Sequence, residues 1–176
     1  ICCGHLRTDD GEIQVLPSNR MDELLTVVDE MMGKVIIWAT WVYDIENIVE
    51  TLRHKYGPRA AEGFYGATPQ ESRHEIVERF QDPDSELRFF VGNPKTGGYG
   101  LTLTAATNMV YYNNGYDLET RLQSEDRAHR IGQEHHVLYV DLVSRGTVDE
   151  KILAALRGKI NLAQQVLGEE ARQWLL

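Results

Sequence analysis

Apolar residues recur along the chain at helical spacing in five segments. In each of them apolar side chains fall three and four positions apart, which places them on one side of a helix. Turn or capping residues such as Ser18, Gly33 and the Gly57-Pro58 pair flank several of these segments. The pattern therefore predicts helices over residues 20–32, 45–56, 70–80, 118–131 and 152–167.

Short apolar runs alternate with these helices and predict five strands. The runs cover residues 35–38, 64–65, 87–91, 109–112 and 137–143. Strands that are apolar throughout and alternate with helices indicate βαβ units and a parallel sheet covered on both faces. We therefore predict an open α/β sandwich, in which the loops at the carboxyl ends of the strands carry the chemistry.

Turn residues dominate the first nineteen positions, which we interpret as a linker outside the core. The domain would then occupy residues 20–147 and end in a helix over residues 148–176. The 176 residues, 42% of them hydrophobic and 26% charged, suit one globular domain and exclude disorder or collagen.

Several cellular settings and kinds of chemistry are disfavoured by simple features of the chain. The longest apolar stretch, residues 35–42, is far shorter than the roughly 20 residues of a membrane span. The first residues do not resemble a signal peptide, so a cytoplasmic or nuclear location is expected. Cys2 and Cys3 are adjacent, and neither they nor the six histidines show the spacing of metal ligands. We predict no metal site, disulfide or membrane contact.

The net charge of −9 at first argues against a nucleic-acid partner. Its distribution weakens that argument, because residues 1–50 carry three basic and ten acidic groups, whereas residues 51–100 carry seven of each. The acidity therefore belongs mainly to the first segment, and the overall charge is a poor guide to what one face of the protein binds.

A glycine-rich segment, residues 93–103, directly follows a predicted strand. Gly97, Gly98 and Gly100 would let the main chain approach a ligand closely, and successive amides could receive a phosphate. The same glycines could equally form a bend that packs a short helix on the sheet. The segment is neither a P-loop nor a dinucleotide-binding fingerprint, because its spacing fits neither motif.

A second candidate site lies in the predicted helix over residues 118–131. Gln123, Arg127 and Arg130 are spaced i, i+4 and i+7, which would place them on one helix face. Two such guanidiniums can clamp the oxygens of a phosphoryl group in transfer. The alternative is a solvated helix face on which Glu125 and Asp126 neutralise the arginines.

Taken together, residues 34–152 resemble the second RecA-like lobe of superfamily 2 helicases, specifically the SWI/SNF-type DNA translocases. Residues 126–133, Asp-Arg-Ala-His-Arg-Ile-Gly-Gln, resemble motif VI of that family. Further similar segments follow the family order: residues 35–41 for motif IV, Gly66-Ala-Thr68 with Arg73 and Phe80 for the next block, residues 95–104 for motif V, and residues 146–152 for the start of a closing helix that braces the two lobes.

The resemblance implies a role for each matching residue. Arg127 and Arg130 would be arginine fingers for ATP held on a first lobe. The remaining implied contacts are to nucleotide from Gln123, Gly98 and Gly100, and to the DNA backbone from Thr68, Arg73, Lys95, Thr96 and Gly97.

Some positions depart from the family pattern, notably Asn93-Pro94, Thr102 and residues 116–118, and these departures are more typical of prokaryotic and phage members. The chain has no Walker A loop and no magnesium-binding Asp-Glu motif, so ATP and Mg²⁺ would be held mainly by an N-terminal lobe. We expect this lobe to be inactive alone, and in the whole protein to act on duplex DNA. The rival interpretation is a non-catalytic scaffold lobe that has lost contact with ATP. A Rossmann-type oxidoreductase is disfavoured by the missing fingerprint.

Overall fold

The computed structural model describes residues 2–96, 101–129 and 136–167. Within these ranges the chain forms five helices and seven strands. The helices are α1 Arg20–Glu30, α2 Val42–Tyr56, α3 Gln70–Gln81, α4 Leu118–Glu125 and α5 Val148–Leu167. The strands are β1 His5–Arg7, β2 Ile13–Val15, β3 Lys34–Trp38, β4 Ala61–Phe64, β5 Phe89–Gly92, β6 Ala106–Tyr111 and β7 Leu138–Asp141. No helix in this part of the chain is long and apolar enough to cross a membrane.

Five of the strands form one parallel sheet in the order β4-β5-β3-β6-β7. The central strand β3 pairs with β5 and β6, so that Ile36 lies between Phe90 and Met109. Because the strands are parallel, the loops that follow them gather at one edge of the sheet, called here the carboxyl edge. The predicted α/β fold with a parallel sheet is confirmed.

Successive side chains of each central strand enter different cores, because side chains alternate across a sheet. On β3, Val35 and Ile37 join a core shared with α1 and α2, whereas Ile36 and Trp38 join a second core shared with α3. We call these the α1/α2 face and the α3 face. Two buried faces explain why the strands read as continuous apolar runs rather than as alternating ones.

Residues 2–19, which we interpreted as part of a linker, contain a short hairpin and a side chain packed on the core. β1 and β2 pair as an antiparallel hairpin. Its turn is closed by hydrogen bonds between Thr8 and Glu12 and from the amide of Gly11 to Thr8 O, with Gly11 at φ 85°. The side chain of Cys3 packs against the core of the α1/α2 face.

The helix predicted over residues 118–131 is wrong in its length, because α4 ends at Glu125. Beyond that point the amides of Ala128 and His129 both donate to Glu125 O, at 3.2 and 3.1 Å, which closes a turn. The carbonyl of Arg127 then accepts from the amide of Leu103 at 2.7 Å. This bond to another segment replaces the continuation of the helix.

Candidate functional site

Two asparagine side chains tie together the loops that leave the three central strands. Thr40 follows β3, and its carbonyl accepts a hydrogen bond from Asn93 Nδ2 at 2.7 Å. Its amide donates to Asn113 Oδ1 at 2.8 Å. Asn93 follows β5 and Asn113 follows β6, so both sides of the Thr40 main chain are fixed by the neighbouring loops. The carboxyl edge is thus held together by side-chain bonds as well as by the strand ladder.

Residues 93–96 form a tight turn directly after β5. Asn93 Oδ1 accepts from the amide of Lys95 at 2.8 Å, and the amide of Thr96 donates to Asn93 O at 2.9 Å. Lys95 is exposed and Thr96 is half-buried. The turn therefore presents one cation at the edge. Gly97, Gly98 and Gly100 lie outside the described residues.

Arg127 connects this turn to the segment after α4. Its guanidinium donates to Pro94 O at 2.8 Å and to Thr96 O at 3.0 Å. The same group lies 5.0 Å above the ring of Trp38, and the residue is only 6% exposed. A buried guanidinium must have its donors satisfied, and these carbonyls satisfy part of the set. The two segments singled out by sequence are thus joined through one side chain.

Of the three residues predicted to share a helix face, Gln123, Arg127 and Arg130, the first two do not lie on one helix. Gln123 lies on α4, where its side-chain nitrogen Nε2 donates to Glu119 Oε1 at 2.9 Å. Arg127 lies beyond the end of that helix, and it is buried rather than presented on a surface. Arg130 falls outside the described residues. Helical spacing placed Arg127 incorrectly, because it assumed that the helix continues past Glu125.

Thr68 and Arg73, predicted to contact DNA, shape the loop after β4. The Thr68 hydroxyl donates to Gly63 O at 3.1 Å and accepts from the amide of Tyr65 at 3.0 Å. Arg73 donates to Thr68 O at 3.1 Å and to the carbonyls of Tyr65 and Gly66 at 3.3 Å. The two residues are thus brought together, and their described hydrogen bonds are to the protein's own main chain.

A buried polar cluster around Asp44 lies beside Thr40 and was not found from sequence. The carboxylate of Asp44, on the first turn of α2, accepts from Asn113 Nδ2 at 2.9 Å and lies 3.1 Å from His5 Nδ1. Burial raises the pKa of Asp44 to about 6, although His5 and Asn113 oppose the shift. Burial likewise raises the pKa of the neighbouring Cys3 thiol to about 11. The cluster fastens the N-terminal segment to the carboxyl edge.

Arg20, the first residue of α1, is a second residue that sequence reasoning missed. It is 4% exposed, and its guanidinium contacts the ends of β6 and β7. One signal was present in the sequence, because a cation in the first turn of a helix is disfavoured by the helix dipole. An arginine at such a position indicates a partner elsewhere in the fold.

The two cations described beside this turn differ in exposure, since Lys95 is exposed and Arg127 is buried. Lys95 and Arg127 are cationic and sit on adjacent segments. In the described ranges, no group of three or more His, Cys, Asp or Glu side chains could hold a metal ion. The exposed ammonium of Lys95 could receive an anion, whereas the described donors of Arg127 bind carbonyls of the protein itself.

The sequence profile described as the helicase conserved C-terminal domain matches residues 19–132. The chain belongs to this helicase family. The match runs from the start of α1 through the turn that holds Arg127 and into the rest of the motif VI-like segment. It therefore covers the whole carboxyl edge except the loop after β7.

Chromatin regulators are among the relatives of this helicase domain. It is 30% identical over 165 residues to the human SWI/SNF-related matrix-associated actin-dependent regulator of chromatin subfamily A member 1, covering 93% of the chain and 15% of that protein. It is 32% identical over 165 residues to the ISWI chromatin-remodeling complex ATPase ISW1 of Saccharomyces cerevisiae, covering 93% and 14%. The domain is thus related to SWI/SNF-type ATPases and spans a small part of them. These eukaryotic relatives do not support the prokaryotic or phage origin expected from sequence.

A solved structure shows the same fold. The crystal structure of the C-terminal part of the Fun30 ATPase domain superposes with a TM-score of 0.70 at 24% identity. The superposition covers 79% of this helicase domain and 45% of that chain. It supports the parallel sheet and its flanking helices.

Proposed function

We propose that this helicase C-terminal domain is the second motor lobe of an ATP-dependent DNA translocase. The observation that carries the proposal is the junction at Arg127. Its side chain holds the turn over residues 93–96, in which the family resemblance assigns Lys95 and Thr96 to DNA, and Arg127 itself belongs to the segment assigned to nucleotide. A motor needs such a connection, because hydrolysis at one site must change the grip at the other.

The proposed division of labour leaves most of the nucleotide site to an N-terminal lobe. That lobe would hold ATP and Mg²⁺, and this domain would face them with its carboxyl edge. Arg127 and Arg130 would stabilise the charge on the transferring phosphoryl group, supported by Gln123 and by close approach of the main chain at Gly98 and Gly100. The domain alone would then hydrolyse no ATP.

Duplex DNA would be held through its phosphates, by Thr68, Arg73, Lys95, Thr96 and Gly97. Of these residues, Lys95 has an exposed side chain. Few cations at the edge imply weak binding with a shallow dependence on salt, so the grip would be shared with the other lobe. Such a motor would work in the nucleus of a eukaryote, or in the cytoplasm if the chain is prokaryotic or phage-encoded.

The test uses the full-length protein and measures ATP hydrolysis with and without duplex DNA. We expect Arg130→Ala to lose the DNA-stimulated rate while nucleotide binding is retained. Arg59→Ala is the matched control, because Arg59 is exposed and lies at the opposite edge of the sheet, just before β4. An unchanged rate in Arg130→Ala would contradict the finger role.

Lys95→Ala tests the DNA side of the proposal separately. It should weaken DNA binding and lower the salt slope by roughly one, as expected for one lost phosphate contact. If the wild-type protein binds DNA yet shows no stimulated hydrolysis, the scaffold interpretation replaces the motor.

A further inference from the structure

Arg20 uses all five of its guanidinium hydrogens in described contacts. Nε donates to Cys2 O at 3.1 Å, one terminal nitrogen donates to Tyr112 O and Leu142 O, and the other donates to Ser144 Oγ at 2.7 Å and to Asp149. An arginine has five such donors, so the set is complete. Its side chain is 3% exposed and that of Asp149 is 11% exposed, which makes these bonds sensitive to the loss of either partner.

The acceptors come from separate parts of the fold that meet at the carboxyl edge. Tyr112 and Leu142 follow β6 and β7, and Asp149 is the second residue of α5. Asp149 also accepts from the amide of Ser144 at 3.2 Å. The same carboxylate therefore binds both Arg20 and the loop that leads into α5. Arg20 therefore joins the start of α5 directly to the ends of two sheet strands.

Beyond its base, α5 is held to the domain by few described side chains. Among its side chains up to residue 160, Ile152 and Leu156 are buried, and Lys159 Nζ donates to Tyr116 O at 2.8 Å. The helix has twenty residues, so it extends about 30 Å from its base. A small rotation of α5 about Asp149 would consequently displace the far end of the helix by a large distance.

From this geometry we propose that Arg20 is a positioning residue that fixes the direction of α5 relative to the carboxyl edge. The proposal deepens the proposed function and rests on it in one respect, namely that α5 sets how the two lobes close. Arg20 acts through Asp149 and through two strand-end carbonyls, and its five donors all bind groups of the protein itself. Loss of Arg20 should therefore slow turnover and leave substrate binding intact.

Arg88 offers a matched control at the other end of the same helix. It donates to the carbonyls of Val28, Met31 and Gly33, and so caps the end of α1 at the amino edge of the sheet. Arg20 thus lies at the start of α1, and Arg88 binds carbonyls at its end. Only Arg20 reaches α5.

The experiment compares Arg20→Met, Arg20→Lys and Arg88→Met in the full-length protein. Hydrogen exchange of the α5 amides near Asp149 should accelerate about tenfold to a hundredfold in Arg20→Met, because one or two charge-assisted bonds are lost there. Arg88→Met should leave these amides unchanged and accelerate exchange at the end of α1. Unchanged exchange in α5 of Arg20→Met would overturn the anchoring role, whether or not the protein hydrolyses ATP.

Kinetics test the second half of the proposal. In DNA-stimulated hydrolysis, kcat should fall in Arg20→Met with KM for ATP retained, and Arg20→Lys should recover part of it. If kcat falls equally in Arg88→Met and Arg20→Met, and the two variants have the same thermal stability, Arg20 has a structural role and not a positioning role. A wild-type protein without stimulated hydrolysis would contradict the motor function, while the exchange result would still decide the anchor.

Discussion

The two faces of the sheet are both buried, but they are covered in different ways. On the α1/α2 face the buried residues outside the strands lie mostly on the two helices, for example Leu24 and Ile48. On the α3 face the core also includes Leu103 and Ala128, which belong to segments without regular structure. Those two segments are the ones that adjoin Arg127. The core of the α3 face and the candidate site therefore share residues.

Aromatic packing reinforces this difference. Phe90 lies at the centre of the α3 face, with ring centroids of Phe64, Phe80 and Trp38 at 5.1, 5.5 and 6.0 Å. Trp38 in turn lies beneath the guanidinium of Arg127. Large rigid rings next to a site leave few alternative packings. We therefore expect truncation of apolar core side chains on the α3 face to alter both stability and activity, whereas truncation of apolar core side chains on the helices of the α1/α2 face should alter stability alone.

The largest expected effect comes from Trp38→Ala. The variant removes a fully buried ring and the support beneath Arg127. We expect the free energy of unfolding to fall by about 4 kcal/mol, measured by denaturant titration. DNA-stimulated hydrolysis per folded molecule should fall with it. Retained activity per folded molecule would break the proposed link between the α3 face and the site.

Ile48→Ala is the counterpart on the α1/α2 face. Ile48 is fully buried on α2. Its truncation should cost about 3 kcal/mol of unfolding free energy through the cavity that it leaves. Hydrolysis per folded molecule should stay at the wild-type level below the unfolding temperature. A parallel loss of activity would mean that the two faces do not differ in this respect.

Arg127→Met separates the support of the turn from the packing beneath it. Methionine can still cover Trp38 but cannot donate to Pro94 O and Thr96 O. We expect a loss of about 2 kcal/mol in unfolding stability, because two hydrogen bonds from a charged donor disappear. Arg127→Lys should recover part of this loss. Equal stability of Met and Lys variants in thermal melts would contradict the bracing role.

Asp44, on the first turn of α2, predicts that the free energy of unfolding depends on pH. Burial raises the pKa of folded Asp44 from 3.8 to about 6, so the folded state binds the proton more tightly than the unfolded one. The resulting stabilisation is present below about pH 4 and is lost as the pH rises through about 6. Between about pH 4 and pH 6, the free energy of unfolding of the wild type should fall by up to about 2 kcal/mol more than that of Asp44→Asn. Parallel melting curves of the two proteins across this range would contradict the assignment.

Arg59→Ala should have the smallest effect. The Arg59 and Glu86 side chains are 77% and 69% exposed and 3.6 Å apart. An exposed ion pair contributes little, so we expect a change of less than about 0.5 kcal/mol in unfolding free energy. A larger change in denaturant titration would show that the amino edge depends on surface charge.

The regular part of the fold could be predicted because each element is encoded locally. Helix α1 begins at Arg20 as its apolar periodicity predicts, and the apolar run after Gly33 is the central strand β3. Strand β4 was found only at its end, Phe64, because Glu62 and Gly63 interrupt the apolar pattern. Edge strands have one exposed side and therefore a weaker signal.

The candidate site could be predicted in its residue types but not in its geometry. The family resemblance selected Arg127, yet the helical spacing placed it on a face shared with Gln123. Just beyond the end of α4 at Glu125, Arg127 O accepts a hydrogen bond from the amide of Leu103, a residue 24 positions away in the sequence. Such a long-range bond leaves no periodic signal.

The sequence by itself determined the parallel α/β fold, the position of most helices and the helicase family, since these depend on local periodicity and on motif strings. Only the tertiary structure decided that Arg127 is buried against Trp38 and that Arg20 joins α1 to α5. The physical reason is the same for both arginines. A guanidinium can be buried only where acceptors converge on it, and the acceptors here come from segments far apart in the chain.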